Sequence, residues 1–114
     1  MVSKRTEVIL WLAQRASAAV LALCVLVHLA TIIYAVRHGL SGAAILGRTR
    51  GNTVWLAFYL LYVLAIVVHA PIGLRTLCQE WLGWRSASLN WCMAAVALAL
   101  FAFGLRAAWA VFVI

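Results

Sequence analysis

Apolar residues fall into three long runs, residues 8–36, 53–78 and 89–112, each longer than the roughly 20 residues a helix needs to cross a bilayer. The first two are separated by Arg37-His38-Gly39-Leu40-Ser41-Gly42 and the stretch to Gly51-Asn52, which reads as a loop. Glu80 and Arg85 mark the second break, with Trp81, Trp84 and Trp91 beside them as an interfacial aromatic belt. The pattern predicts an all-α integral membrane protein: three transmembrane helices in one domain, residues 1–114, without internal repeats.

Polar positions inside the runs are not scattered. In the first, Gln14, Ser17, Leu21, Cys24, His28 and Thr31 follow steps of three and four and share one helix face, while the positions between are Val, Leu, Ile and Ala suited to lipid. That face must meet protein or a cofactor. Helix packing accounts for Ser17, Cys24 and Thr31. His28 is different, because an ionisable ring deep in hydrocarbon is costly; it is a candidate for ligand or proton-transfer duty, with a hydrogen-bonded packing histidine as the alternative.

In the second run, Tyr62, His69, Gly73 and Thr76 share a face, and Gly73 removes a side chain one turn beyond His69, where a flat ligand could lie. Pro71 cannot donate a backbone hydrogen bond and crowds the carbonyl of Val67, so the helix is expected to kink near His69. Arg75 follows His69 by about one and a half turns, where it could pair with a carboxylate at the membrane surface or simply snorkel. Histidine, glycine and arginine together suit a planar, iron-containing, dianionic cofactor. Imidazole is a usual axial ligand of haem iron, and a b-type haem needs no covalent CxxCH attachment, which the chain lacks.

Composition narrows the function further. Of 114 residues, 68% are hydrophobic and 10% charged, against about 45–50% and about 25% in soluble domains, and mean hydropathy is +1.11. A soluble fold is excluded, and three crossings leave no length for a catalytic domain outside the membrane. The net charge of +7 comes from dispersed Lys and Arg that mostly flank the apolar runs, so it points to lipid headgroups or anionic cofactor groups and not to nucleic acid. Basic residues divide almost evenly between the two ends, Lys4, Arg5, Arg15, Arg75 and Arg85 against Arg37, Arg48, Arg50 and Arg106, with a slight bias towards a cytoplasmic N-terminus. Cys24, Cys78 and Cys92 form no CxxC pair and read as small buried hydrophobes. The first run is too long for a signal peptide and carries no small-residue cleavage site after a short core, so it reads as a retained span.

His69-Ala70-Pro71-Ile72-Gly73-Leu74-Arg75, with Glu80 shortly after, resembles the H-x-x-x-G-x-R segment of the cytochrome b membrane-anchor subunits of succinate dehydrogenases and fumarate reductases. Trp11-Leu12-Ala13-Gln14-Arg15-Ala16-Ser17, leading to His28, resembles the start of the same family, including the first-helix histidine of its two-haem members. The resemblance runs to about Trp84; the third span is generic. It implies a helical bundle that holds a flavoprotein and an iron-sulfur subunit at the membrane, with haem b and a quinone as the redox partners. By the same resemblance His69 is the second-helix haem ligand, Arg75 a propionate partner, and Arg15 and Ser17 the R-x-S segment near the quinone pocket. Where some members carry a quinone-contacting serine, four residues before that arginine, this chain has Trp11. No residue of this chain is assigned catalysis on the dicarboxylate, since it has neither a dinucleotide fingerprint nor the cysteines of an iron-sulfur subunit.

The resulting expectation is an electron-transfer subunit of a succinate:quinone or quinol:fumarate oxidoreductase-like complex in a bacterial inner (cytoplasmic) membrane. One or two haems b are shared with a second anchor subunit or a second copy of this chain. Haem ligation is expected at His69 and His28, other cofactor contacts at Arg75 and Gly73, and quinone contacts at Arg15, Ser17 and Trp11. Arg15 and Trp11 suit interfacial anchoring equally well. Counting along each span puts His28 about 9 Å to one side of the midplane and His69 about 6 Å to the other, too far apart to share one iron. A small multidrug-type transporter of similar length usually needs four spans and an intramembrane acid, whereas Glu7 and Glu80 sit at run ends. A haem-free anchor or assembly subunit is the closer alternative. A reduced-minus-oxidised absorption spectrum of the purified complex separates the two: the haem reading predicts a b-type band, and its absence leaves the haem-free anchor.

Overall fold

A computed structural model of the chain describes residues 3–113; Met1, Val2 and Ile114, which the single-domain expectation includes, lie outside the described residues. It contains four helices among those residues: α1 (Lys4–His38), α2 (Gly42–Thr49), α3 (Thr53–Leu82) and α4 (Ala87–Val113). The three long ones are each long and apolar enough to cross a membrane, and the molecule is 51 Å along its longest axis.

The helices overrun the apolar runs because their ends are set by caps in the polar zone. Ser3 accepts a hydrogen bond from the Thr6 amide at 3.2 Å, with Glu7 in the favourable first turn. At the other end Gly39, at φ 142°, closes α1 by donating its amide to the Ala35 carbonyl at 2.8 Å. Asn52 caps α3 through Oδ1, which accepts from the Val54 and Trp55 amides, and Gly83, at φ 65°, ends it. α3 continues through Pro71, which is buried.

The segment expected to be only a loop contains α2, capped by Ser41 Oγ accepting from the Ala44 amide at 3.1 Å. Its glycines hid it, but a serine cap followed by Ala43-Ala44-Ile45-Leu46 is a helix start. The Gly51 amide then donates to the Phe112 carbonyl at 2.8 Å, tying this segment to the end of α4.

α3 is the central helix, with α1 packed on one flank and α4 on the other. The stripe on α1 is the face turned inward: Ser17 and Cys24 are buried and Gln14, Leu21, His28 and Thr31 half-buried, while Leu23, Val25, Leu26, Val27 and Leu29 stay exposed. Buried positions are mostly small, as expected where lipid offers no hydrophobic drive between helices and close approach must hold them.

Gly104 lets α4 come close against Val63 of α3. A Cβ at Gly104 would stand 2.5 Å from Val63 Cγ1 and 2.9 Å from Cγ2, and a β-branched side chain in a helix has almost no rotamer to retreat to. Gly104→Ala is therefore expected to lower the melting temperature of the detergent-solubilised protein, at a cost of about 1–3 kcal/mol from overpacking. Adding Val63→Ala should recover most of the loss; a double variant no better than Gly104→Ala would place the strain elsewhere.

Candidate functional site

His69 of α3 faces α1. Its Nδ1 lies 3.5 Å from Ser17 Oγ, and that hydroxyl is also 3.1 Å from the Gln14 backbone carbonyl. Ser17 is 6% exposed and His69 half-buried. No partner engages the other ring nitrogen, Nε2, among the described residues. One turn on, Gly73 leaves a notch, which the end of the Gln14 side chain occupies: a Cβ at Gly73 would meet Gln14 Nε2 at 3.2 Å. The space expected to admit a flat ligand against Gly73 is thus taken on the α1 side by an amide, because the stripe on α1 packs directly onto this face. Gln14 Oε1 is buried without a donor among the described residues, a cost of about 1–3 kcal/mol.

Nearer the N-terminal end of α1, a groove of about 590 Å³ opens between α1 and α3. Trp11, Gln14 and Arg15 line it from one side and Gly73, Arg75 and Thr76 from the other, with Glu7 at its edge. The Arg15 guanidinium lies over the Trp11 ring, 4.9 Å from its centroid, a cation–π contact that holds the charge in place. Arg75 Nε donates to Asn90 Oδ1 of α4 at 2.9 Å, tying α3 to α4 at this end. The groove therefore brings together Trp11, Arg15, Gly73 and Arg75. Ser17, expected with Arg15, is not among its lining residues; one half-turn further along α1, it is buried and directed at His69.

His28 lies elsewhere. Its ring is edge-on to Tyr59 and Tyr62, with centroids 6.3 and 5.8 Å away. Beside it is a cavity of about 650 Å³, lined also by Thr31, Tyr34, Trp55 and Tyr59 and reaching Arg48 of α2. Arg48 Nη2 donates to the Gly39 carbonyl at 3.1 Å, with the guanidinium over the Tyr34 ring. His69 sits level with Ser17, and from 17 to 28 the helix climbs about 16 Å, so the two histidines belong to separate sites. His38 stacks on Tyr34 and its Nδ1 is 3.0 Å from the Tyr34 carbonyl, so it finishes the end of α1.

Tyr62, expected on the His69 face, is placed against His28, since seven residues of helix put it two turns away from His69. Sequence reasoning missed Tyr59 and Trp55, and read Arg48 only as a basic residue at one membrane end. Tyr59 and Trp55 carry the i, i+4 spacing of a common face, whereas Arg48 reaches the cavity only because α2 folds back.

No cluster of three or more His, Cys, Asp or Glu occurs among the described residues. Each histidine can offer one bond to a metal, so a metal held at either would need ligands beyond these clusters.

Gly73→Leu is expected to drive the Gln14 amide from the notch and to close part of the groove; restoring room with Gln14→Ala should recover more than half of the stability lost, and no recovery would mean that Gln14 does not fill that space.

Residues 1–107 match the family described as Succinate dehydrogenase/Fumarate reductase transmembrane subunit. No curated protein and no solved structure gives a significant match to the chain.

Proposed function

The chain belongs to the succinate dehydrogenase/fumarate reductase transmembrane subunit family, and on that premise we propose that it is the cytochrome b anchor of its complex, holding haem b and helping to form the quinone site. Membership makes it a membrane subunit of such an oxidoreductase, with flavoprotein and iron-sulfur partners. The dicarboxylate is transformed on the flavoprotein; this chain carries the link to the quinone pool.

The observation that carries the reading is the state of His69. In an apolar bundle one ring nitrogen is placed against a serine and the other has no partner among the described residues. A metal-binding imidazole needs that combination, one nitrogen fixed by a neighbour and the other presenting its lone pair. The donor set fits a haem: this chain would supply one imidazole to the iron, and any further protein ligand would come from another chain. His69 would hold the iron, and Arg75, whose Nε is bound to Asn90, would direct its terminal amino groups to a propionate. The bound haem supplies a one-electron relay.

The groove between Trp11 and Arg15 suits the quinone. Arg15 donates hydrogen bonds and accepts none, matching a quinone carbonyl, and Trp11 is both an apolar wall and the surface that positions the guanidinium. Glu7 at the groove edge is the acidic group nearest to hand for proton exchange with the aqueous phase. Ser17 contributes through His69. At the far end, His28 and its cavity suit a second haem, with Arg48 as the cation for its carboxylates. Among the described residues neither site has an opposing ligand, which calls for a second anchor subunit or a second copy around a two-fold axis. The N-terminal end, with Lys4, Arg5, Arg15, Arg75 and Arg85, is assigned to the cytoplasmic side of a bacterial inner membrane, where the iron-sulfur subunit docks.

Two experiments test these roles. His69→Ala and His28→Ala should each remove a different haem component from low-temperature spectra of the purified complex and lower the haem-to-protein ratio; an unchanged spectrum in His28→Ala would reduce the account to one haem, and one in His69→Ala would defeat it. Arg15→Ala should depress quinone reduction at least tenfold while electron transfer to a soluble acceptor stays within about twofold, about 1.4 kcal/mol or more in the quinone step. Equal losses in both assays would indicate failed assembly.

A further inference from the structure

Ser17 has one hydrogen and two lone pairs to distribute. Its hydroxyl lies 3.1 Å from the carbonyl of Gln14 three residues earlier on α1, and donation to that carbonyl uses the hydrogen. Towards His69 Nδ1, 3.5 Å away, the serine oxygen can then only accept. This arrangement calls for the imidazole proton on Nδ1, which leaves the Nε2 lone pair bare. With the proton on Nε2 instead, two lone pairs would face each other unless Ser17 abandoned Gln14. Nor would water readily mediate, since Ser17 is 6% exposed.

We infer that Ser17 is a positioning residue for His69: by accepting from Nδ1–H it selects the tautomer that offers Nε2 to iron and sets how strongly the ring donates. This rests on the reading of His69 as a haem ligand. It removes Ser17 from direct contact with the quinone, in keeping with its place outside the Trp11–Arg15 groove. An acceptor on Nδ1–H gives the ring partial imidazolate character, which favours the oxidised metal and lowers the midpoint potential. At 3.5 Å the contact is at the long end of the hydrogen-bond range, so its removal shifts the potential without abolishing binding.

Thr and Val match in shape and differ in the hydroxyl, so the pair isolates the hydrogen bond from packing at this buried position. Complexes carrying Ser17→Ala, Ser17→Val and Ser17→Thr would be purified, their haem-to-protein ratios measured and the haems titrated potentiometrically. Ser17→Ala and Ser17→Val should raise the midpoint potential of the one haem component that His69→Ala eliminates, while Ser17→Thr keeps it near the parent value. Partial haem loss in Ala and Val with retention in Thr would support the same role through orientation. The inference is overturned if Thr and Val behave alike, whether both are unchanged or both are impaired. Retention of every haem component in His69→Ala would instead remove the haem reading itself, a separate failure.

Discussion

Inside a hydrocarbon layer no water is available to satisfy a polar group, so each polar side chain on a membrane-spanning helix has to be turned towards another helix or a ligand. The arrangement of α1 against α3 follows from this constraint. Six positions on α1 recur at steps of three and four, and only one rotation of the helix hides all six from lipid. That rotation sets Ser17 against His69, Gln14 against Gly73 and His28 against the two tyrosines. The apolar positions between them, Leu23, Val25, Leu26, Val27 and Leu29, are left to face outward. On the other flank of α3 the constraint is steric: Gly104 lets α4 come down onto Val63. A single helix thus organises both flanks, with α2 folded over the far end.

Much of this was legible in the sequence because both signals involved are strong. Long apolar runs leave no doubt about spanning helices, and the stripe on α1 named the face that packs. What escaped depended on tertiary placement. The ends of α1 extend beyond the apolar run because Ser3 and Gly39 cap it, and caps lie in the polar zone where hydropathy is silent. α2 was masked by Gly42 and Gly47, and with it the reach of Arg48 into the His28 cavity. The separation of Ser17 from Arg15, two residues apart in sequence, is a matter of helical rotation: about 200° turns one into the interface and the other to the groove. The Gln14 side chain in the Gly73 notch could not have been read from either residue alone.

The two histidines mark two polar clusters at opposite ends of one interface. Each has an imidazole on the packed face and an arginine nearer the membrane surface, Arg75 or Arg15 at one end and Arg48 at the other. On the proposed haem reading neither encloses a planar dianion from one side, and a second anchor chain would supply the opposing wall and the opposing ligand. The same reading would leave the chemistry on the dicarboxylate to the partner subunits. On that reading this chain would provide lone pairs and positive charge, and other subunits would provide the rest.

An experimental density map of the intact complex, by electron cryomicroscopy in lipid nanodiscs, tests the central claim most directly. The account predicts His69 Nε2 bonded to the iron of a planar group whose opposite face is ligated from another chain, with Nδ1 still directed at Ser17. A map in which His69 Nε2 packs against protein, with no group within bonding distance of it, would contradict the account.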